Sequence, residues 1–266
     1  PEAAGQERPL LAFFTAVVEA QARLVAHWMD IGFIHGVMNT DNMAISGETI
    51  DYGPCAFMDE FDYQQVFSSI DRLGRYAYGR QAPIAHWNLA RLAECLMLLG
   101  DPQALFEEQL ARFQELFERH YLERMGRKLG LQQVQEDDDE LVSEWLQYLQ
   151  DHELDYTLSH RRLASRIAAQ GPAEFGRFEA RWRERLQVQG LPVEAVRAGM
   201  DAVNPLYIPR NHLVQRAIDG AVEGDLSVFE ELGRVLQRPF DEQPGQGSYA
   251  EPPQPAERVT ETFCGT

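Results

Sequence analysis

Asn42 and Asp51 are an amide and a carboxylate nine residues apart, separated by MAISGETI. A turn at Ser46-Gly47 folds such a segment back on itself, so one amide oxygen and one carboxylate can converge on a divalent cation. Phosphoryl and nucleotidyl transfer need hard oxygen ligands of this kind, because charge on the phosphate oxygens has to be offset as a bond breaks. Asp41, directly before Asn42, can accept a proton from an incoming hydroxyl if the loop turns it inward. His35, seven residues upstream of Asn42, reads as a residue that holds the loop by hydrogen bonds and not as a catalytic group. Taken singly, Asp41-Asn42 is an ordinary turn signal. The ordered combination of HGVMNTDN with DYG favours the functional reading.

The interval matches a known pattern. A protein-kinase catalytic loop reads H-R-D-x-x-x-x-N, with Asp as base and Asn on a metal, and is followed by D-F-G, whose Asp holds Mg²⁺. His35, Asn42 and Asp51-Tyr52-Gly53 keep that order, while Val37 fills the position of the base.

The elements that must position this loop are helical. Residues 10 to 31 place Leu10, Phe14, Val17, Val18, Leu24, Val25 and Trp28 near a 3.6-residue period, and Gly32 ends the helix. The polar loop follows, with short strands expected at Met43–Ile45 and Glu48–Ile50. Residues 52 to 82 show little periodicity and read as an extended, activation-type segment. A helix resumes at Pro83, which suits a first helical turn, and runs to Gly100. Further helices are expected over 102–129, 139–150, 156–169, 172–188, 192–202, 211–221 and 225–237. The acidic run from Glu136 to Glu140 reads as a solvated linker lending negative charge to a helix N-terminus, since consecutive helical side chains diverge. Cys95, on an apolar helix face, is expected in the core. Residues 241–258 are rich in Pro, Gly and Gln and read as an extended tail. The expected fold is mainly α: a kinase-like C-lobe over 1–240, with a short β-hairpin carrying the metal-binding loop, and a tail over 241–266.

Composition bounds the partners. With 24 Lys and Arg against 42 Asp and Glu, the 266-residue chain has a formal net charge of −18, which disfavours nucleic acid. The same excess suits solubility or a basic protein substrate. A 44% apolar content supports a sizeable core. No run approaches the roughly 20 consecutive apolar residues of a membrane span, and PEAAGQERPL lacks the features of a secretory signal, so a cytoplasmic location without a membrane partner is expected. Three cysteines are too few and scattered for a disulfide framework or a Cys-based zinc site. A first residue of Pro suggests a piece of a longer protein.

HGVMNTDNM, followed by TIDYGP and FMDEF, resembles the selenoprotein-O family of kinase-like proteins. GRYAYGRQAPIAHWNLARLAECL, NPLYIPRNHLVQRAI, RPFDEQP and YAEPP are similar to later parts of the same family. The resemblance covers most of the chain from about residue 10, least distinctively over 100–200. It implies a protein adenylyltransferase that moves AMP from ATP to Ser, Thr or Tyr hydroxyls of proteins and releases pyrophosphate, in a bacterial-type member. Asp41 would then be the proton acceptor, Asn42 and Asp51 the Mg²⁺ ligands (Mn²⁺ being an alternative), and Asp51 also a nucleotide contact. The family's N-lobe is not represented here, so the chain alone is expected to bind ATP weakly and not to catalyse. A γ-phosphate-transferring kinase and a catalytically silent scaffold remain the alternatives. Some family members bridge a terminal Cys to one in the activation segment, which makes a Cys55–Cys264 disulfide an expectation carried by the resemblance alone.

Overall fold

The computed structural model describes residues 2–135, 137–169 and 171–263. Among these, nine α-helices dominate: α1 Pro9–Asp30, α2 Gln81–Met97, α3 Gln103–Lys128, α4 Asp138–Asp151, α5 Tyr156–Arg166, α6 Gly176–Val188, α7 Val193–Asp201, α8 Asn211–Val222 and α9 Ser227–Leu236. β1 Phe33–Ile34 and β2 Ala56–Phe57 form a two-stranded antiparallel sheet pairing Phe33 with Phe57 and Ile34 with Ala56.

The helical pattern translates directly into packing. Phe14, Val17, Val18, Ala22, Val25, Ala26 and Met29 lie on the buried face of α1, at helical spacing. That face lies along α3, where Phe14 meets Phe106 edge-on with ring centroids 5.4 Å apart. α1 has the length and mean hydropathy of a membrane span, yet this stripe packs inside the fold. Trp145 of α4 and Phe178 and Trp182 of α6 extend the core, with ring centroids of Trp145 and Phe178 4.8 Å apart. Both indoles have partners, as buried indoles require: Trp182 Nε1 donates to the carbonyl of Leu129 and Trp145 Nε1 to His160.

Three expectations need correction. The strands foreseen at Met43–Ile45 and Glu48–Ile50 reduce to one bridge, Met43 with Thr49, and the sheet lies instead at β1 and β2, which bracket the loop from outside. The Ser46-Gly47 turn is tight: Gly47 has φ +76°, and a Cβ there would come within 2.9 Å of Ala20. The acidic run is not wholly solvated. Asp138 is buried, paired with Arg185 at 2.7 Å, and accepts the N–H of Gln135, while Glu136 lies outside the described residues. Cys95 is exposed and not in the core, because α2 turns its apolar stripe through Ala85, Leu89 and Ala93.

The tail is extended but held. Ala250 packs with Tyr207 and Val235 in a small second cluster, and its carbonyl accepts from Arg210 Nε at 3.0 Å. Farther on, Thr262 exchanges backbone hydrogen bonds with Phe67 and Ser69, and its hydroxyl donates to the carbonyl of Pro54.

Candidate active site

His35 is fully buried and organises the loop from beneath. Its Nε2 lies 2.8 Å from the carbonyl of Ile50, so that nitrogen carries the proton and donates, and Nδ1 is left to accept the N–H of Val37 at 3.4 Å. Burial pushes its pKa below the ordinary 6.5, with the Ile50 bond and the Asp51 charge opposing. The ring is therefore neutral near pH 7, and it fixes the carbonyl next to Asp51. Replacing His35 by Phe strands the Ile50 carbonyl and the Val37 N–H, and a stability loss of about 1–3 kcal/mol is expected in urea unfolding. The wild type should also lose stability as pH falls below about 6.5, because the unfolded histidine takes up its proton first. A His35→Phe variant as stable as wild type at pH 7 would remove this residue from the account.

Asp51 has φ +55°, a left-handed conformation that non-glycine residues seldom adopt. The residue is exposed, as is Asp41. Asn42 donates through Nδ2 to the carbonyl of Val37 at 3.0 Å. Its amide is thereby oriented and Oδ1 is the atom left for a ligand. Val37, which stands where a kinase has its base, is buried and supplies the anchor through its backbone. The Met43–Thr49 bridge sets the two arms of the turn side by side, so that Asn42 and Asp51 emerge from the same end. Among the described residues there is no group of three or more His, Cys, Asp and Glu that could hold a metal ion. Asn42 and Asp51, with Asp41 alongside, offer hard oxygens of the kind Mg²⁺ takes, an ion that needs few protein ligands and completes its shell with phosphate oxygens and water.

The loop also packs against the segment that directly follows Asp51. Gly36 has φ +82°, and a Cβ there would meet the Pro54 carbonyl at 2.8 Å, so the loop needs glycine where it crosses the segment after Asp51. Cys55, beside that crossing, is half-buried and its thiol is pushed up to about 11, chiefly by burial. Cys264, the other member of the expected disulfide, lies outside the described residues.

The family description "Protein adenylyltransferase SelO" matches residues 1–237. The chain belongs to the SelO family. It is 47% identical to "Protein nucleotidyltransferase YdiU" of Rhizobium meliloti (strain 1021), over 100% of this chain and 58% of that protein. The same name is carried by relatives from Bradyrhizobium diazoefficiens, 48% identical over 100% of this chain and 57% of theirs, and Rhodopseudomonas palustris (strain BisB5), 50% identical over 100% and 58%. The chain thus spans somewhat more than half the length of these SelO-family relatives.

Several residues that hold the loop of this SelO chain escaped the sequence reading. Gln81, at the start of α2, accepts the N–H of His35 and donates to the carbonyl of Phe33, both at 3.0 Å. Asn88 donates to the carbonyl of Met38, Gln21 to that of Ala44, and Trp28 Nε1 to Thr49 Oγ1. Tyr76 donates its hydroxyl to Asn39 Oδ1 at 2.6 Å. A signal was present in part: Gln21 and Asn88 are amides on otherwise apolar helix faces, where a buried polar group needs a partner.

Proposed function

We propose that this chain carries the metal-binding and proton-accepting part of a protein adenylyltransferase within a kinase-like helical lobe. The observation that carries the reading is the arrangement at the turn: Asn42 is oriented by Val37, and Asp51 is held left-handed beside the carbonyl that His35 grips. Asn42 and Asp51 would hold Mg²⁺, or Mn²⁺ in its place, and Asp51 would also contact ATP. When bound, the cation supplies charge neutralisation at the phosphates.

The step follows from the chain's own groups. A Ser, Thr or Tyr hydroxyl of a protein substrate attacks the α-phosphorus of ATP, and its proton passes to Asp41. The bond from the α-phosphorus to the bridging oxygen breaks, and pyrophosphate leaves. Asp41 is exposed and adjoins the metal amide, which suits a base that meets an incoming macromolecule. Because the chain spans only part of its relatives' length, the 266 residues alone should transfer little.

The test is the identity of the transferred group. A protein of the relatives' full length carrying these residues is incubated with protein substrates, Mg²⁺ and ATP labelled at either the α- or the γ-phosphate. Label on protein from the α position only is expected. Incorporation from the γ position makes the protein a kinase, and incorporation from neither leaves a silent scaffold.

A further inference from the structure

A cationic platform stands beside the loop on a chain whose net charge is −18. Trp87 of α2 is 41% exposed, and its ring carries two guanidiniums, Arg75 at 4.9 Å and Arg91 at 5.0 Å from the centroid. Arg75 also lies 5.7 Å from the ring of Tyr76. The platform is tied to the site at three points. Tyr76 donates to Asn39, Asn88 next to Trp87 donates to the carbonyl of Met38, and Arg91 shares with Thr40 and Met43 the lining of a cavity of about 260 Å³.

Arg75 is exposed and Arg91 partly so. Asp71, the acid nearest Arg75 in sequence, is turned to the backbone N–H groups of Arg75 and Tyr76. Arg91 gives one nitrogen to Glu94 at 2.7 Å, while its side chain stays 41% exposed. Stacking on an indole fixes the plane of a guanidinium and leaves its exposed nitrogens to donate to a carboxylate. The surrounding negative field repels long polyanions, so the platform acts at contact range and suits a segment bearing one or two carboxylates.

We propose that Arg75, Trp87 and Arg91 form the docking surface for an acidic segment of the protein substrate, with Asp or Glu side chains flanking the hydroxyl that reaches Asp41. This gives the acceptor a sequence class, and it rests on the adenylyl-transfer reading of the same loop. It also reverses the expectation of a basic substrate that net charge alone suggests.

Binding measured without ATP separates the two ideas. Three labelled peptides share a central Ser flanked by Asp and Glu, by Ala, or by Lys, and each is titrated into the 266-residue chain by fluorescence anisotropy. The acidic peptide is expected to bind about fivefold to tenfold more tightly than the Ala peptide, as two partly exposed charge-assisted contacts allow. The preference should shrink at high salt. It should vanish when Arg75→Gln and Arg91→Gln are combined, and persist in part when both become Lys, with unfolding midpoints confirming that all variants are folded. Equal affinity for the three peptides, including no binding of any, overturns the proposal. So does a preference that survives the double Gln substitution. Failure of α-label transfer with the acidic preference intact would instead strike the adenylyl-transfer reading and leave the platform standing.

Discussion

Substituting Met for Arg210 should cost the fold about 3–5 kcal/mol in urea unfolding at pH 7. Arg210 is fully buried and joins four parts of the chain. It opens the turn into α8, pairs with Asp59 after β2, pairs with Asp155 at 2.7 Å, and donates to the Ala250 carbonyl of the tail. Asp155 is also the N-cap of α5, accepting the N–H of Leu158. Removing the guanidinium leaves two largely buried carboxylates facing each other without a cation. Burial already pushes Asp59 above the usual carboxylate range despite Arg210, which lowers it. A carboxyl raised in this way favours the fold at low pH and loses that contribution as pH rises. The deficit of the Met variant should therefore be largest at neutral pH and smaller below about pH 4, where Asp59 is protonated in folded and unfolded chains alike. Adding Asp155→Asn, which keeps a capping side chain, should restore part of the loss. A deficit under about 1 kcal/mol, or one independent of pH, contradicts this account.

The second large effect has the opposite sign. Lys128, the last residue of α3, is fully buried, and burial pushes its pKa from 10.5 down to about 8, with Asp30 opposing and Arg124 assisting. Its nitrogen lies 5.5 Å from the Tyr156 ring centroid. Below pH 8 the lysine is charged in both states and the folded state bears the desolvation. Between 8 and 10.5 the unfolded chain holds more protons, so stability due to Lys128 rises with pH by roughly 3 kcal/mol. Lys128→Met should thus stabilise the protein at pH 7 by up to about 3 kcal/mol, since Asp30 keeps Arg124 at 2.8 Å. The difference from wild type should fall toward zero as pH approaches 10.5. Comparing the two proteins at each pH cancels the common destabilisation from Tyr78, Tyr121 and Tyr156, whose hydroxyls burial holds well above their ordinary range. A Met variant less stable than wild type at pH 7 means that the charge is useful where it sits.

These networks explain why the sequence was legible in some places and opaque in others. Helices announce themselves through a local period, so α1 was expected over 10–31 and lies at Pro9–Asp30, and the helix expected to start at Pro83 begins at Gln81. The loop was legible because HGVMNTDN and DYG put chemically capable residues at fixed spacing. Strand pairing was not, since β1 and β2 are two residues each and their partners are set by a closure more than twenty residues long. The exposed face of Cys95 was hidden by an apolar run long enough to cover both sides of α2. Asp138 looked like one more surface acid until Arg185, 47 residues away, was brought to it. Arg210 has no local signature at all: both of its carboxylates and its carbonyl come from distant segments.

The measurement closest to the central claim replaces the two loop oxygens one at a time. α-Labelled ATP and Mg²⁺ are supplied to a protein of the relatives' full length carrying these residues, with Asn42→Ala, Asp51→Ala and, as an off-site acid, Asp62→Ala alongside. Asp51→Ala and Asn42→Ala should each lower label transfer by about a hundredfold or more, the scale expected when one preorganised electrostatic contact is lost, while Asp62→Ala stays within about twofold of the parent. Full transfer by the Asp51 variant, at an unfolding midpoint equal to wild type, would contradict the assignment of this loop as the site of nucleotidyl transfer.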